Sequence, residues 1–310
     1  MKVFYHPRLN IDLGLLNRLH PFDGMKFGRV REGLDETMGL TFMDIVAPVS
    51  QAMVNAFASP LLQLLLLKKR FILEALEVPY IPLVPFSVID RRLLEPMRWG
   101  VGATLQAAQA ALSGGHCWNL AGAYHHASRT DAQGFCIYND IGIAVQELRQ
   151  SGALAPGDRI LIVDVDAHHG NGNARVFEED PRVTLLDIYN GQTYPNSPFT
   201  KARVDINLPL RHGTAGAEYL DKLQEGLQRL ETGYRLAFVV AGTDVLQSDP
   251  LGGLKLSIDD CVLRDRQVLD RLDVLSIPAV VLGGGGYGRD SATAIQRSIA
   301  SNARRSQPAT

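Results

Sequence analysis

Residues 160–172 read ILIVDVDAHHGNG. The first six form a short β-branched run, and acids, histidines and glycines crowd its end. Such a continuous apolar run suits a strand buried on both faces of a parallel sheet. Val183–Tyr189 (VTLLDIY), Leu236–Val240 (LAFVV) and Ala279–Leu282 (AVVL) have the same character. Helical patterns lie between them. Glu218–Leu230 carries leucines at 220, 223, 227 and 230, with Gly233 placed to cap it. Ile258–Leu275 and Arg289–Ala300 also read as helices, as does the alanine-rich Trp99–Leu112, which ends at Gly114-Gly115. Asn139 or Asp140 is a candidate cap for another helix through Leu148. Strand alternating with helix predicts an α/β fold with a mostly parallel sheet and helices on both faces.

In such sheets ligands bind beyond the carboxyl ends of the strands. The unusual chemistry of this chain sits at those ends. Asp164, Asp166, His168, His169 and Asn171 follow ILIV, Gly242-Thr243-Asp244 follows LAFVVA, and GGGGYG (283–288) follows AVVL. Asp and His are ordinary ligands for zinc or a similar divalent ion, and a catalytic zinc takes three protein ligands with one position open. Asp166 and His168 supply two, and Asp244 at another strand end is the natural third. Charged groups beside apolar strands are costly unless compensated, and a cation is the simplest compensation.

A second cluster, Tyr124-His125-His126-Ala127-Ser128, precedes Gly134-Phe135-Cys136. Two adjacent histidines near a metal suit proton handling, as a base for water and an acid for a leaving amine. Each needs a partner on its other ring nitrogen, and Asp164 and Asn171 are the candidates. The glycine run lacks the Lys-Ser/Thr of a phosphate loop and the spacing of a dinucleotide fingerprint. It lets backbone approach a ligand closely and presents Tyr287, whose phenol can donate to a developing oxyanion.

Composition narrows the class. The 310 residues are 46% hydrophobic and 21% charged, a globular balance. The formal net charge of −2 excludes nucleic-acid binding through bulk positive charge. The greasiest run, Leu61–Leu67 (LLQLLLL), reads as a buried helix. It is far short of the roughly 20 apolar residues that span a bilayer. The opening MKVFYHPRLN has no signal-peptide core, and Cys117, Cys136 and Cys261 form no disulfide framework. The expectation is a cytoplasmic protein with no membrane partner. No linker, repeat or long charge run divides the chain, so one domain is expected over 1–303, with 304–310 a flexible tail. The prolines and aromatics of 80–99 suit either a lid over the site or a packed connector.

The segments AYHHASRTDAQGFCIYND (123–140), VDVDAHHGNG (163–172), AGTDVLQSDPLGGL (241–254) and GGGGYG (283–288) carry a family likeness. Together they resemble the zinc-dependent histone deacetylase superfamily, with its three-layer arginase–deacetylase fold. His20-Pro21-Phe22-Asp23, Asp187-Ile188-Tyr189-Asn190 with Tyr194-Pro195, and Asn171 make the chain most similar to class IV, as a bacterial-type lone catalytic domain. The resemblance implies one zinc ion held by Asp166, His168 and Asp244. It implies His125 and His126 as tandem catalytic histidines, with His126 the main acid–base group. Asp164 becomes the partner of His125, and Asn171 the partner of His126 where many members have Asp. Tyr287 becomes the oxyanion donor. Phe135 and Tyr194 would wall an acyl-lysine channel lined by Gly134 and Gly285. A structural potassium ion is implied around Asp164, Asp166, His168, Asp187 and Ile188. The implied reaction is hydrolysis of the N-ε-acyl amide of lysine in a protein or peptide. Acetylpolyamine deacetylases, some of which carry Glu where this chain has Leu251, are the first alternative. Two-metal ureohydrolases of the same fold and a silent acyl-lysine-binding module are the others.

Overall fold

A computed structural model describes residues 1–12, 22–80 and 82–305. Among them one sheet gathers eight strands. These are β1 (Lys2–Phe4), β2 (Thr41–Met43), β3 (His116–Asn119), β4 (Arg159–Asp164), β5 (Val183–Asn190), β6 (Ile206–Leu210), β7 (Tyr234–Val240) and β8 (Ala279–Leu282). Their order is β2-β1-β3-β8-β7-β4-β5-β6, and every neighbouring pair is parallel. The four strands expected from the apolar runs are β4, β5, β7 and β8. They lie side by side at the centre, where both faces are covered and an unbroken apolar run is required. The strands that the patterns did not reveal are shorter or lie toward the edges. At one edge, β6 (INLPL) alternates buried and exposed residues and contains Pro209. Proline is tolerated there because an edge strand leaves one side free of ladder hydrogen bonds.

Helices cover the sheet in two layers. In chain order they are α1 (Lys26–Glu32), α2 (Gln51–Phe57), α3 (Pro60–Leu65), α4 (Lys69–Ala75), α5 (Phe86–Ile89), α6 (Glu95–Leu112), α7 (Asp140–Gln150), α8 (Asn171–Val176), α9 (Pro198–Ala202), α10 (Gly216–Gln228), α11 (Ile258–Val274) and α12 (Ser291–Arg305). One layer packs α2, α6 and α7 together, and the other α1, α10, α11 and α12. This is the expected three-layer fold. Local chemistry sets the starts. Asn139 Oδ1 accepts the Gly142 N–H at 2.6 Å and opens α7. Ser257 and Asp260 form a reciprocal capping box at α11.

Several local expectations are corrected. Leu61–Leu67 is not a buried helix. Leu62 and Leu66 are buried, but Leu61, Leu64 and Leu67 are each more than 60% exposed. A short helix lying on the surface can turn only one stripe inward, however apolar its other faces are. The helix read from Trp99 starts earlier, at Glu95, and is reached through α5 and a π-helical turn, Asp90–Leu94. With Ile89, Leu93, Leu94, Met97 and Trp99 buried, the segment from Phe86 onward is a packed connector rather than a lid. Helix α10 ends at Gln228 with Arg229 as its C-cap, so Gly233 is not its cap, although it does take a left-handed φ of 93° before β7. Helix α12 runs through Arg305, past the expected start of the tail. His20, Pro21 and residues 306–310 lie outside the described residues. No described helix is long and apolar enough to cross a membrane.

Candidate active site

Parallel pairing puts every strand's carboxyl end on one edge of the sheet. The four neighbours β3-β8-β7-β4 therefore deliver their polar loops side by side. After β3, the loop that carries His125 and His126 is held by Asp140, the first residue of α7. Its buried carboxylate accepts the N–H groups of Ala123 (3.0 Å) and Tyr124 (2.8 Å) and the Thr104 hydroxyl (2.7 Å). Ala123 has a φ of +60°, a conformation that costs a non-glycine residue about 1–3 kcal/mol and persists only where its surroundings enforce it. Asp140 supplies that enforcement.

The two histidine rings lie 4.1 Å apart between centroids, both buried. Each has its own partner. His125 Nδ1 lies 2.8 Å from Asp164 Oδ2, and His126 Nδ1 lies 2.7 Å from Asn171 Oδ1. This difference pushes their acidities apart. Burial alone would lower the pKa of His125, but the charges of Asp164 and Asp166 and the Asp164 hydrogen bond outweigh it and raise it to about 9. Burial, with the charges of His125 and His168, pulls that of His126 well below the usual value, and the neutral Asn171 restores little. At neutral pH the pair is thus one imidazolium and one neutral imidazole. Because Nδ1 of His126 donates to Asn171, its Nε2 keeps a free lone pair.

Asp166, His168 and Asp244 meet at the ends of β4 and β7. One ligand atom from each lies within 4.8 Å of the others, and all three residues are buried. His168 Nδ1 faces both carboxylates, at 2.8 Å from Asp244 and 3.2 Å from Asp166. Backbone N–H groups fix the acids: Gly285 donates to Asp166 Oδ2 (3.1 Å) and Ala167 to Asp244 Oδ1 (2.9 Å). Burial, then the charge of Asp166, pushes the pKa of Asp244 up to about 7. Asp166 behaves oppositely: burial would raise its pKa, but His125 and His168 hold it well below the usual range. Two buried acids sharing one imidazole make a cluster short of positive charge, which a divalent cation would supply. This donor set is the oxygen and nitrogen set of a catalytic zinc. Gly285 belongs to this cradle, because a Cβ there would lie 2.7 Å from both Asp166 Oδ2 and Asp244 Oδ2.

Of the expected channel residues, Tyr194 and Gly134 lie against His126. Tyr194 meets its ring edge-on at 5.3 Å, and the Tyr194 hydroxyl donates to Gln133 Oε1 at 2.6 Å. Gly134 has φ +56°, and a Cβ there would lie 2.5 Å from His126 Cδ2. Phe135, also left-handed at φ +63°, is tied by its N–H to Ala75 O (3.0 Å) and stands 5.5 Å from the Tyr287 ring. Burial, reinforced by the charges of Asp244 and Asp166, raises the Tyr287 pKa well above normal, so its hydroxyl remains a donor. Leu251 is 37% exposed, and its N–H donates to Asp249 Oδ1 at 2.9 Å. Around β5, Asp187 Oδ2 accepts His169 Nδ1 (2.6 Å) and the Gly170 N–H (3.0 Å), while its buried Oδ1 has no hydrogen-bond partner among the described residues. Ile188 lies in the middle of β5, its side chain in the core.

Sequence reading missed three supports of this site. Asp140 looked only like a helix cap. Asp249 accepts the N–H groups of Tyr287 (2.7 Å) and Gly288 (3.0 Å). Arg264, fully buried in α11, donates to the carbonyls of Val165 and Gly242, one residue before Asp166 and two before Asp244. Of the three arginines in α11, Arg264 is the one at helical spacing from Cys261 and Val268 on the apolar stripe, and that position is the signal.

The family profile described as "Histone deacetylase domain" matches residues 78–303. Histone deacetylase 2 of Arabidopsis thaliana is 33% identical over 307 residues, covering 96% of this chain and 78% of that protein. Histone deacetylase RPD3 of Saccharomyces cerevisiae is 31% identical over 202 residues, or 60% of this chain and 44% of that one. Histone deacetylase 6 of Caenorhabditis elegans is 35% identical over 192 residues, or 56% of this chain and 19% of that one. The chain thus spans less than half the length of the latter two.

Proposed function

The chain belongs to the histone deacetylase family, and from that premise we propose that it hydrolyses the N-ε-acyl amide of lysine in proteins or peptides. Membership makes it a hydrolase of amides. The observation that carries the finer reading is the meeting of a buried Asp166–His168–Asp244 group with His126, whose Nδ1 is held by Asn171. A zinc ion held by Asp166, His168 and Asp244 would supply Lewis-acid polarisation of the acyl carbonyl and lower the pKa of water. His126 takes a proton from the attacking water through Nε2. The Tyr287 hydroxyl donates to the tetrahedral oxyanion. The protonated His126 then returns its proton to the departing lysine amine. His125, charged and pinned to Asp164, keeps His126 neutral before the reaction begins.

We place the catalytic unit over residues 1–303. We place a potassium ion beside Asp164, Asp166, His168, Asp187 and Ile188, supported by Asp187 Oδ1, which has no hydrogen-bond partner among the described residues. The pairing of Asn171 with His126 supports a class IV assignment. Leu251, with no carboxylate to catch a second ammonium, favours acyl-lysine over acetylpolyamine.

The deciding experiment compares turnover of acetyl-, decanoyl- and myristoyl-lysine peptides with that of acetylputrescine. It uses enzyme stripped by a chelator and then reloaded with zinc. Lysine deacylation that disappears on stripping and returns with zinc is expected. Preference for acetylputrescine, or turnover unaffected by stripping, would sink the reading.

Asn171 also sets a pH dependence. Converting it to aspartate places a negative charge on His126 Nδ1, which favours the imidazolium. The base form of His126 then survives only at higher pH. Asn171→Asp is expected to move the acid limb of the kcat/KM profile upward by about one pH unit or more. An unmoved limb would show that another group sets it.

A further inference from the structure

Gln133 takes no part in the proposed chemistry, yet its side chain spans the mouth of the expected channel. Its Oε1 accepts the Tyr194 hydroxyl at 2.6 Å, and its Nε2 donates to Asp131 Oδ2 at 3.2 Å. A carboxylate can only accept, so the amide nitrogen faces Asp131 and the oxygen faces Tyr194. Asp131 is itself held, with Oδ1 accepting the Ala132 N–H (2.9 Å) and its own N–H donating to Ser128 Oγ (3.0 Å). Burial raises the Tyr194 pKa above normal, so its hydroxyl remains the donor.

The base of this bond is stiff. Gln133 and Cys136 exchange backbone hydrogen bonds of 3.1 and 2.9 Å across a two-residue turn. The turn residues, Gly134 and Phe135, are both left-handed at φ +56° and +63°, the type I′ pattern. A phenylalanine keeps that conformation only where its surroundings enforce it, and the bond from its N–H to Ala75 O does so. Gly134 also leaves room for Tyr194 to come down, because a Cβ there would lie 3.2 Å from Tyr194 Cε1. One turn therefore presents Phe135 and, through Gln133, grips the second aromatic.

We infer that Gln133 is a specificity-determining residue: its amide latches Tyr194 to the turn that presents Phe135 and so fixes the slot between the two rings for a slender alkyl linker such as that of lysine. The inference rests on the reading of Phe135 and Tyr194 as channel walls. A latched ring is ordered before substrate arrives. A free phenol must be ordered by the substrate, and that cost falls on KM. A free ring can also step aside, which admits a wider linker.

The test compares a peptide carrying acyl-lysine with the same peptide carrying acylated 4-(aminomethyl)phenylalanine, on zinc-loaded enzyme. Gln133→Met is similar in length and lacks the amide. It is expected to raise KM for the lysine peptide about three- to tenfold, the usual worth of one net hydrogen bond, with the loss in KM rather than kcat. The preference for lysine over the aromatic linker, read as a ratio of kcat/KM values, is expected to fall by a similar factor. In a Tyr194→Phe background, which lacks the hydroxyl, the same replacement is expected to cost less than about twofold. Equal losses in both backgrounds, an unchanged preference, or a loss confined to kcat would overturn the proposal. If Gln133→Met does not fold, Gln133→Leu repeats the cycle, and loss of the fold in both assigns the amide to stability and overturns the proposal as well. A Tyr194→Ala enzyme with wild-type KM and preference would instead overturn the reading of Tyr194 as a channel wall.

Discussion

His126→Ala is expected to lower kcat by about 10²–10⁴-fold, the usual worth of a general base. Two features single out His126 rather than its neighbour. Its pKa is driven well below normal by burial and by the charges of His125 and His168, so it is unprotonated when water must be activated. Its Nδ1 is occupied by Asn171, which leaves Nε2 as the basic atom. His125 has the opposite environment. With Asp164 at 2.8 Å and a pKa near 9, it already holds its proton. Pairs of titratable groups driven apart in this way mark out acid and base roles. The prediction is checked by steady-state kinetics on a lysine-acyl peptide, with zinc measured in the same preparation. Zinc content should stay at wild-type level, because His126 is not one of the three clustered residues. A His126→Ala enzyme within tenfold of wild type would remove His126 from the mechanism.

Tyr287→Phe carries the second large effect. Removing one preformed oxyanion donor typically costs about 2.7–4 kcal/mol, or roughly 10²–10³ in kcat. The phenol suits this task because it does not ionise: burial and the nearby charges of Asp244 and Asp166 hold its pKa far above neutral. It is also placed by backbone rather than by chance, since Asp249 holds its N–H at 2.7 Å. The phenylalanine ring keeps the contact with Phe135 and deletes one oxygen, so the substrate channel should be preserved. The loss is therefore expected in kcat, with KM little changed and zinc retained. A loss confined to KM would assign Tyr287 to substrate binding instead.

Much of this was legible in one dimension because it is periodic or locally clustered. The four central strands announced themselves as unbroken apolar runs, since both their faces are buried. The ends of β4, β7 and β8 were recognisable because acids, histidine and glycine are poor company for such runs. The short strands escaped. In β3 the strand residues are His116, Cys117, Trp118 and Asn119, so its apolar run is only two residues long, against four in β8. The leucine run at 61–67 misled for the converse reason, because hydrophobicity without a gap does not say which side of a helix faces inward.

The sequence by itself determined the four central strands, the alternation of strand with helix and the residue types available at their ends. Those follow from contacts between near neighbours along the chain. Only the tertiary structure decided which polar groups meet. His168 and Asp244 are 76 residues apart, and Asp166 lies 119 residues from Gly285, whose N–H it accepts. Parallel pairing of β3, β8, β7 and β4 brings these distant loops to one edge, and burial then turns proximity into altered acidity. Two acids and two histidines carry ordinary pKa values when extended in water. Their altered acidities exist only where the fold removes the water between them.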